Sequence, residues 1–312
     1  MNINTIKQTL WIEKYRPKSL DEIALSADAR ETINKFVKEG NMPNLFLCSR
    51  PGQGKTSLAK ILAYGVFDAD TLYINASDEN GVETVRTKVT DFSKTMSTNG
   101  NFKIVILDEV DGFSNVQSQK LLRGLMEEVA DNTRFVLTAN QKSKVIDAIQ
   151  SRCQFVDITP PIEEVKKRVI HILSNEKVRC PMEEGPKLVA MIQRFYPDVR
   201  SIVKTLQASV YDGVLKLKDY KVESEFMTKL FDLMMQGNPI NVRKFVIENE
   251  LSFNSDYSIL LDDLYHLIID SDKLNPAQKS KWTITIANYL VRMPNVIDTE
   301  LNASACLFEL MS

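Results

Sequence analysis

The stretch Leu45-Phe-Leu-Cys-Ser-Arg-Pro-Gly-Gln-Gly-Lys-Thr-Ser-Leu58 decides the fold. Leu45 to Cys48 read as a short apolar strand, the glycines as a turn, and Lys55-Thr56 as the start of a helix. That order builds a phosphate-binding loop, in which backbone N–H groups curl round an oligophosphate and the helix N-terminus adds partial positive charge. Gly52 and Gly54 permit the tight backbone, Lys55 can reach the β- and γ-phosphates, and the Thr56 hydroxyl can ligate Mg²⁺. The pattern G-x-x-x-x-G-K-[ST] asks for glycine at position 49, where this chain carries Ser49.

A length of 312 residues predicts two or three domains. The formal net charge of −2 gives no overall polycation signature, so any nucleic-acid contact must come from a local patch. The segment from 225 to 312 holds 12 acidic against 7 basic side chains, a net of −5, which leaves about +3 for the rest. Cys48, Cys153, Cys180 and Cys306 are scattered and only two histidines are present, which argues against zinc and against a disulfide framework. Met1 to Leu10 is polar and no apolar run approaches membrane-spanning length, so a reduced, cytoplasmic protein without a membrane partner is expected.

Outward from the loop, Ser19-Leu-Asp-Glu22 has the form of a capping box, and a helix is predicted from about Asp28 to Lys38, ending at Gly40. Downstream, Thr71 to Asn75 reads as a strand and Val82 to Phe92 as a helix. The four consecutive branched residues Ile104 to Leu107 suit a strand buried on both faces of a parallel sheet. A helix from Asn115 to Val129, a strand from Arg134 to Asn140 and a strand at Val156-Asp-Ile158 follow. Strand alternating with helix predicts a doubly wound α/β domain ending near Thr159-Pro-Pro161. Beyond it the pattern is helical only: Glu163 to Ser174, Glu184 to Phe195, Val199 to Val210, then a second group from about Glu225. In that group Leu260, Leu264, Leu267 and Ile268 share one stripe, and Trp282, Ile286 and Leu290 another.

Asp108-Glu109 ends the buried strand about fifty residues after Lys55, where a P-loop protein places its second Mg²⁺-organising carboxylate. The adjacent Glu109 can take a proton from an attacking water, or orient it, which makes the site hydrolytic. Asn140, ending the next strand, either sets an amide beside the γ-phosphate or is a turn former. Tyr15-Arg16-Pro17 is a plain turn or, with Lys14 and Ile23, the wall of a base pocket. Arg152 and Arg200 taken alone read as surface charges.

Seven motifs occur in the order and spacing of AAA+ clamp-loader ATPases: Trp11-Ile-Glu-Lys-Tyr-Arg-Pro17, Pro51-Gly-Gln-Gly-Lys-Thr56, Asn75-Ala-Ser-Asp78, Leu107-Asp-Glu-Val-Asp111, Thr138-Ala-Asn140, Gln150-Ser-Arg-Cys153 and Pro197-Asp-Val-Arg200. Residues 11 to about 210 resemble the small subunits of replication factor C. The total length, Ser49 and the short third domain are most similar to the large clamp-loader subunit of T-even-like bacteriophages. The resemblance implies a RecA-like AAA+ core over 1–159, a helical lid over 160–224 and an all-helical collar over 225–312, with ATP and Mg²⁺ as cofactors.

By the same resemblance, Gly52, Gln53, Gly54, Lys55, Thr56 and Ser57 wrap the phosphates, and Thr56 and Asp108 hold Mg²⁺. Asp108 and Glu109 are the Walker B pair, Asn140 is sensor 1, and Arg200 is sensor 2, acting in cis. Ile12, Glu13, Lys14, Tyr15, Ile23 and Ala24 match the adenine pocket, and Asn75 the residue that holds the catalytic glutamate back. Arg152 resembles an arginine finger serving the neighbouring subunit's ATP in trans, a role worth roughly 10³–10⁵ in rate. Arg86, Lys88, Lys120 and Arg123 match helices that track DNA phosphates, although Gly124 stands where relatives often carry a second arginine; all four charged residues could equally lie on solvated helix faces. Phe92 and Met96 match a clamp-docking position, with a core role for Phe92 equally open.

The implied function is an ATPase subunit that opens a sliding clamp and places it on primer–template DNA. Its implied partners are further copies of itself, in a homotetramer, and a distinct small subunit. The alternatives are an ATP-binding scaffold that never hydrolyses, a P-loop metabolite kinase, and another AAA+ DNA motor such as a helicase loader.

Overall fold

The computed structural model describes residues 10–77, 82–97, 102–113, 116–217, 220–253, 255–293 and 296–312. Asp78 and Asn115 of the sequence reading, and the polar run before Leu10, lie outside them. The chain divides into two compact units, 1–217 and 218–312.

The first unit is built on a five-stranded parallel sheet of order β2-β3-β4-β1-β5. Its strands are β1 (Leu45–Cys48), β2 (Thr71–Asn75), β3 (Lys103–Asp108), β4 (Thr133–Ala139) and β5 (Gln154–Val156). Alternate residues of the central strands feed two cores. Leu45, Leu47, Ile104, Ile106 and Val136 pack against α2 (Ala27–Glu39) and α3 (Lys55–Lys60), which continues as a π-helix over Ile61–Val66. Phe46, Val105, Leu107, Phe135 and Leu137 pack against α4 (Val82–Lys94) and α5 (Val116–Glu128). This is the two-sided burial that the uninterrupted branched runs require.

Three expectations are corrected. Glu22 does not close a capping box with Ser19, because its carboxylate accepts from the Lys18 N–H at 3.0 Å. The cap of α2 is Ser26, whose hydroxyl accepts from the Ala29 N–H at 3.2 Å. Strand β5 begins at Gln154, two residues ahead of the predicted start, since the Gln154 N–H bonds the Asn44 carbonyl beside β1. The region after Pro161 is not wholly helical. Helices α7 (Ile162–Asn175), α8 (Glu184–Phe195) and α9 (Val199–Ala208) are followed by a hairpin, β6 (Val210–Tyr211) and β7 (Val214–Leu215). Its two turn residues, Asp212 and Gly213, sit at φ 49° and 72°, the positive pair that an Asp-Gly hairpin turn demands.

Two short helices complete the first unit, α1 (Trp11–Lys14) at its start and α6 (Asp147–Gln150) before β5. The second unit contains α10 (Tyr220–Met235), α11 (Pro239–Glu248), α12 (Tyr257–Asp270), α13 (Pro276–Arg292) and α14 (Thr299–Met311). The last four start on Asn238, Asp256, Asn275 and Asp298, each accepting a backbone N–H of the first turn. Leu260, Leu264 and Ile268 form a buried stripe with Leu267 packed beside it, and Trp282 and Ile286 face them from α13. Among the described residues no helix is long and apolar enough to cross a membrane.

Candidate active site

A cleft of about 480 Å³ opens at the C-terminal ends of β1, β3 and β4, where open α/β sheets place their ligands. All six residues from Gly52 to Ser57 line it. Gly54 enters α3 at φ 95° and Gly52 stands at φ 78°, a region that L side chains rarely adopt. Lys55 is 7% exposed, and its ammonium donates to the carbonyls of Ser49 at 2.7 Å and Arg50 at 3.0 Å. Burial pushes its pKa down, against the opposing pull of Cys48, Asp111, Asp108 and Glu109. A desolvated cation held only by carbonyls of its own loop is matched to an incoming oligophosphate. Ser49 does not obstruct this arrangement, since its carbonyl, not its side chain, meets Lys55.

Asp108 is buried and accepts from three hydroxyls: Thr56 at 2.9 Å, Tyr73 at 2.8 Å and Thr138 at 2.5 Å. Thr56 and Asp108 are thus brought together as predicted. Among the described residues no cluster of three or more His, Cys, Asp or Glu could hold a metal unaided. The oxygen donors Thr56 and Asp108 therefore fit Mg²⁺ as it is held in nucleotide sites, by few protein ligands together with the phosphates. Glu109 stands at φ 58°, an unfavourable conformation for a residue with a side chain. Its N–H bonds the Thr138 hydroxyl at 2.9 Å and its carboxylate accepts from the Ser77 hydroxyl at 3.0 Å. Asn75 reaches this group through its side-chain Oδ1, which accepts from the Ser77 N–H at 3.0 Å. Asn140 lines the cleft, and its N–H and that of Gln141 bind the Asp111 carboxylate at 3.0 and 3.1 Å.

From the N-terminal segment, Ile12, Glu13, Tyr15, Ile23 and Ala24 line the cleft, while Lys14 does not. The Lys14 ammonium turns away to Glu176, at the end of α7, at 2.6 Å, an acceptor it shares with the Tyr15 hydroxyl. Arg168 of α7 donates to the Tyr15 carbonyl at 2.7 Å, so the N-terminal segment is tied to the helices that follow the sheet. Arg200 lines the cleft from the start of α9 and its N–H meets the Gly52 carbonyl at 3.3 Å. A Cβ on Gly52 would lie 1.8 Å from the Asp198 carboxylate, which caps α9.

Arg152 lies outside the cleft lining, and its guanidinium is held by Glu127 and the Ala148 carbonyl. Arg86, Lys88, Lys120 and Arg123 are all exposed, on the outer faces of α4 and α5, whose inner faces carry Val85, Val89, Leu122 and Leu125. Phe92 packs against that core and under the Lys103 ammonium, whereas Met96 is 94% exposed. Sequence reasoning missed Tyr73, Ser77, Asp111, Thr138 and Asp198. Ser77, Asp111, Thr138 and Asp198 lie inside the quoted motifs, which could have marked them, whereas Tyr73 carried no such signal.

Residues 32–162 match the protein-family model described as DNA polymerase III, delta subunit. A replication factor C small subunit of Staphylothermus marinus is 35% identical over 86% of this chain and 83% of its own length. The replication factor C small subunit of Sulfurisphaera tokodaii is 32% identical over 97% of this chain and 95% of its own length. The chain belongs to the replication factor C small-subunit family. A further relative of that name, from Sulfolobus acidocaldarius, is 40% identical over 76% of this chain and 75% of its own length. Among solved structures, the Thermotoga maritima RuvB Holliday junction branch migration motor aligns with a TM-score of 0.50 at 17% identity, covering 88% of this chain and 80% of that one. A RuvB variant from the same organism gives 0.51 at 15% identity, over 93% and 88%. That likeness shows the α/β AAA+ fold which this replication factor C relative shares.

Proposed function

We propose that the chain is the ATP-hydrolysing subunit of a loader that opens a ring-shaped sliding clamp and places it on primer–template DNA. The observation that carries this is the contact of Thr56 with Asp108 at 2.9 Å, made across 52 residues, with Glu109 beside it and Asn140 and Arg200 on the same cleft. The residues from Gly52 to Ser57 bind the triphosphate, with Lys55 on its β- and γ-oxygens. Thr56 and Asp108 would hold Mg²⁺, which neutralises charge on those oxygens. Glu109 takes the proton of the attacking water, Asn140 orients that water, and Arg200 binds the γ-phosphate from the lid. Ile12, Glu13, Tyr15, Ile23 and Ala24 enclose the adenine. Asn75 and Ser77 together hold Glu109 in a resting position.

Arg152 serves the ATP of the next subunit, so turnover depends on assembly. In this reading residues 1–159 are the ATPase core, 160–224 the lid and 225–312 a collar that joins copies of the chain, as a homotetramer, to a distinct small subunit. Arg86, Lys88, Lys120 and Arg123 follow the phosphates of the duplex, and Met96 meets the clamp. Ser49 in place of the loop glycine favours a bacteriophage-type large subunit acting in the host cytoplasm.

The test is ATP turnover with and without primer–template DNA and a clamp. Joint stimulation is expected. Stimulation by DNA alone, indifferent to any clamp, would indicate another DNA motor, and tight ATP binding without turnover under every condition would leave only a scaffold.

A further inference from the structure

Arg152 follows α6 on a tight turn, and its side chain is only one-third exposed. Its Nε donates to Glu127 Oε1 at 2.8 Å, its Nη2 makes a second bond to the same oxygen, and its Nη1 donates to the Ala148 carbonyl at 2.7 Å. A guanidinium has five N–H groups in a fixed plane. Three are committed here, and one remains on each terminal nitrogen. The side edge of the fork is therefore anchored while both terminal nitrogens keep a donor, as two-point binding of a phosphate requires. The anchor comes from α5, the helix that also bears Lys120 and Arg123, and the Arg123 Nε lies 3.9 Å from the same Glu127 oxygen.

We infer that Glu127 is a positioning residue that fixes the guanidinium plane of Arg152 for a phosphate on the neighbouring subunit. This rests on the trans role of Arg152 proposed above. Preorganisation matters because an unanchored arginine samples many rotamers, and small misplacements of a group that contacts the transferring phosphoryl are costly in rate. The carboxylate itself touches no nucleotide. It also gives the DNA-facing helix a direct hold on the finger.

The test uses the full assembly with DNA and clamp, comparing Glu127→Ala, Glu127→Gln, Arg152→Ala and the double variant Glu127→Ala/Arg152→Ala. Glu127→Ala should lower stimulated kcat by about tenfold while leaving KM for ATP and the affinity for a fluorescent ATP analogue unchanged. Glu127→Gln keeps an acceptor oxygen in the same place and should recover most of that loss. The double variant should be no slower than Arg152→Ala alone, since Glu127 acts only through Arg152. Parental kcat in Glu127→Ala, a rise in kcat, or additive losses in the double variant would each overturn the inference while the role of Arg152 stood. Parental activity in Arg152→Ala would overturn that role and the inference with it.

Discussion

Asp108 and Glu109 are neighbours in the chain and opposites in environment. Asp108 is buried under three hydroxyl donors, while Glu109 keeps a bent backbone and a single serine contact. Under the proposed function that contrast would supply a fixed Mg²⁺ ligand and a base free to swing. Glu109→Gln should bind ATP with parental affinity and lose roughly 10²–10⁴ in turnover, read by nucleotide titration beside phosphate release; parental turnover would remove Glu109 from the chemistry. Gly52→Ala should abolish tight ATP binding, since its Cβ meets the Asp198 carboxylate and its φ of 78° stays strained. Adding Asp198→Ala relieves the first fault only, so nucleotide titration should show partial recovery, and full recovery would mean that φ is immaterial. The pairing of Thr56 with Asp108 was legible because both sit in spaced motifs. The hydroxyls of Tyr73 and Thr138 were not, because β-prone residues in a strand look alike whichever way they point. Lys14 was misplaced for a related reason: its acceptor, Glu176, lies 162 positions away.

At the scale of elements, the parallel sheet could be read directly, since runs such as Ile104 to Leu107 fit only a strand covered on both faces. The Asp212-Gly213 hairpin was equally plain in the sequence and was lost in a region read by helical periodicity alone. Lys103 ran against hydropathy. It is 1% exposed inside β3, where its ammonium caps the end of α4 by bonding the Phe92 carbonyl at 2.6 Å and the Thr95 hydroxyl. In the second unit, Arg243 of α11 grips Glu300 of α14 at 2.9 and 3.2 Å, and that guanidinium holds the Glu300 carboxyl below its ordinary pKa, helped by the Ser304 hydroxyl. A carboxylate whose pKa is depressed on folding stabilises the fold above its unfolded pKa and loses that contribution as pH falls through the folded value. Glu300→Gln should therefore melt below the parent at neutral pH and converge with it once the pH has fallen below the depressed pKa of Glu300 in the folded protein. A gap in melting temperature that does not shrink as the pH falls would rule the ion pair out.

The whole molecule divides its labour by charge and by core. The C-terminal stretch from 225 is net acidic and packs its own apolar interior, so the basic surface belongs to the sheet-bearing unit. Replacing Arg86, Lys88 and Arg123 together with Ala should reduce the salt slope of DNA affinity by about 2–3 without altering DNA-free turnover. An unchanged slope in a salt titration would make these ordinary surface charges. The helices bearing them were visible in the sequence, but the assembly they serve was visible only through family resemblance, because no chain states its own neighbours. Lys103 has one more consequence, a mechanical one. Strand β3 begins at the lysine that clasps α4 and ends at Asp108, so one short stiff rod joins α4 to the carboxylates of the cleft. If α4 follows DNA as proposed, a pull on it would pass along the rod to the Glu109 backbone. Lys103→Met keeps the rod and removes the clasp, and should cut stimulation by DNA while sparing DNA-free turnover and the melting temperature of the second unit. Undiminished stimulation would show that the pull travels by another route.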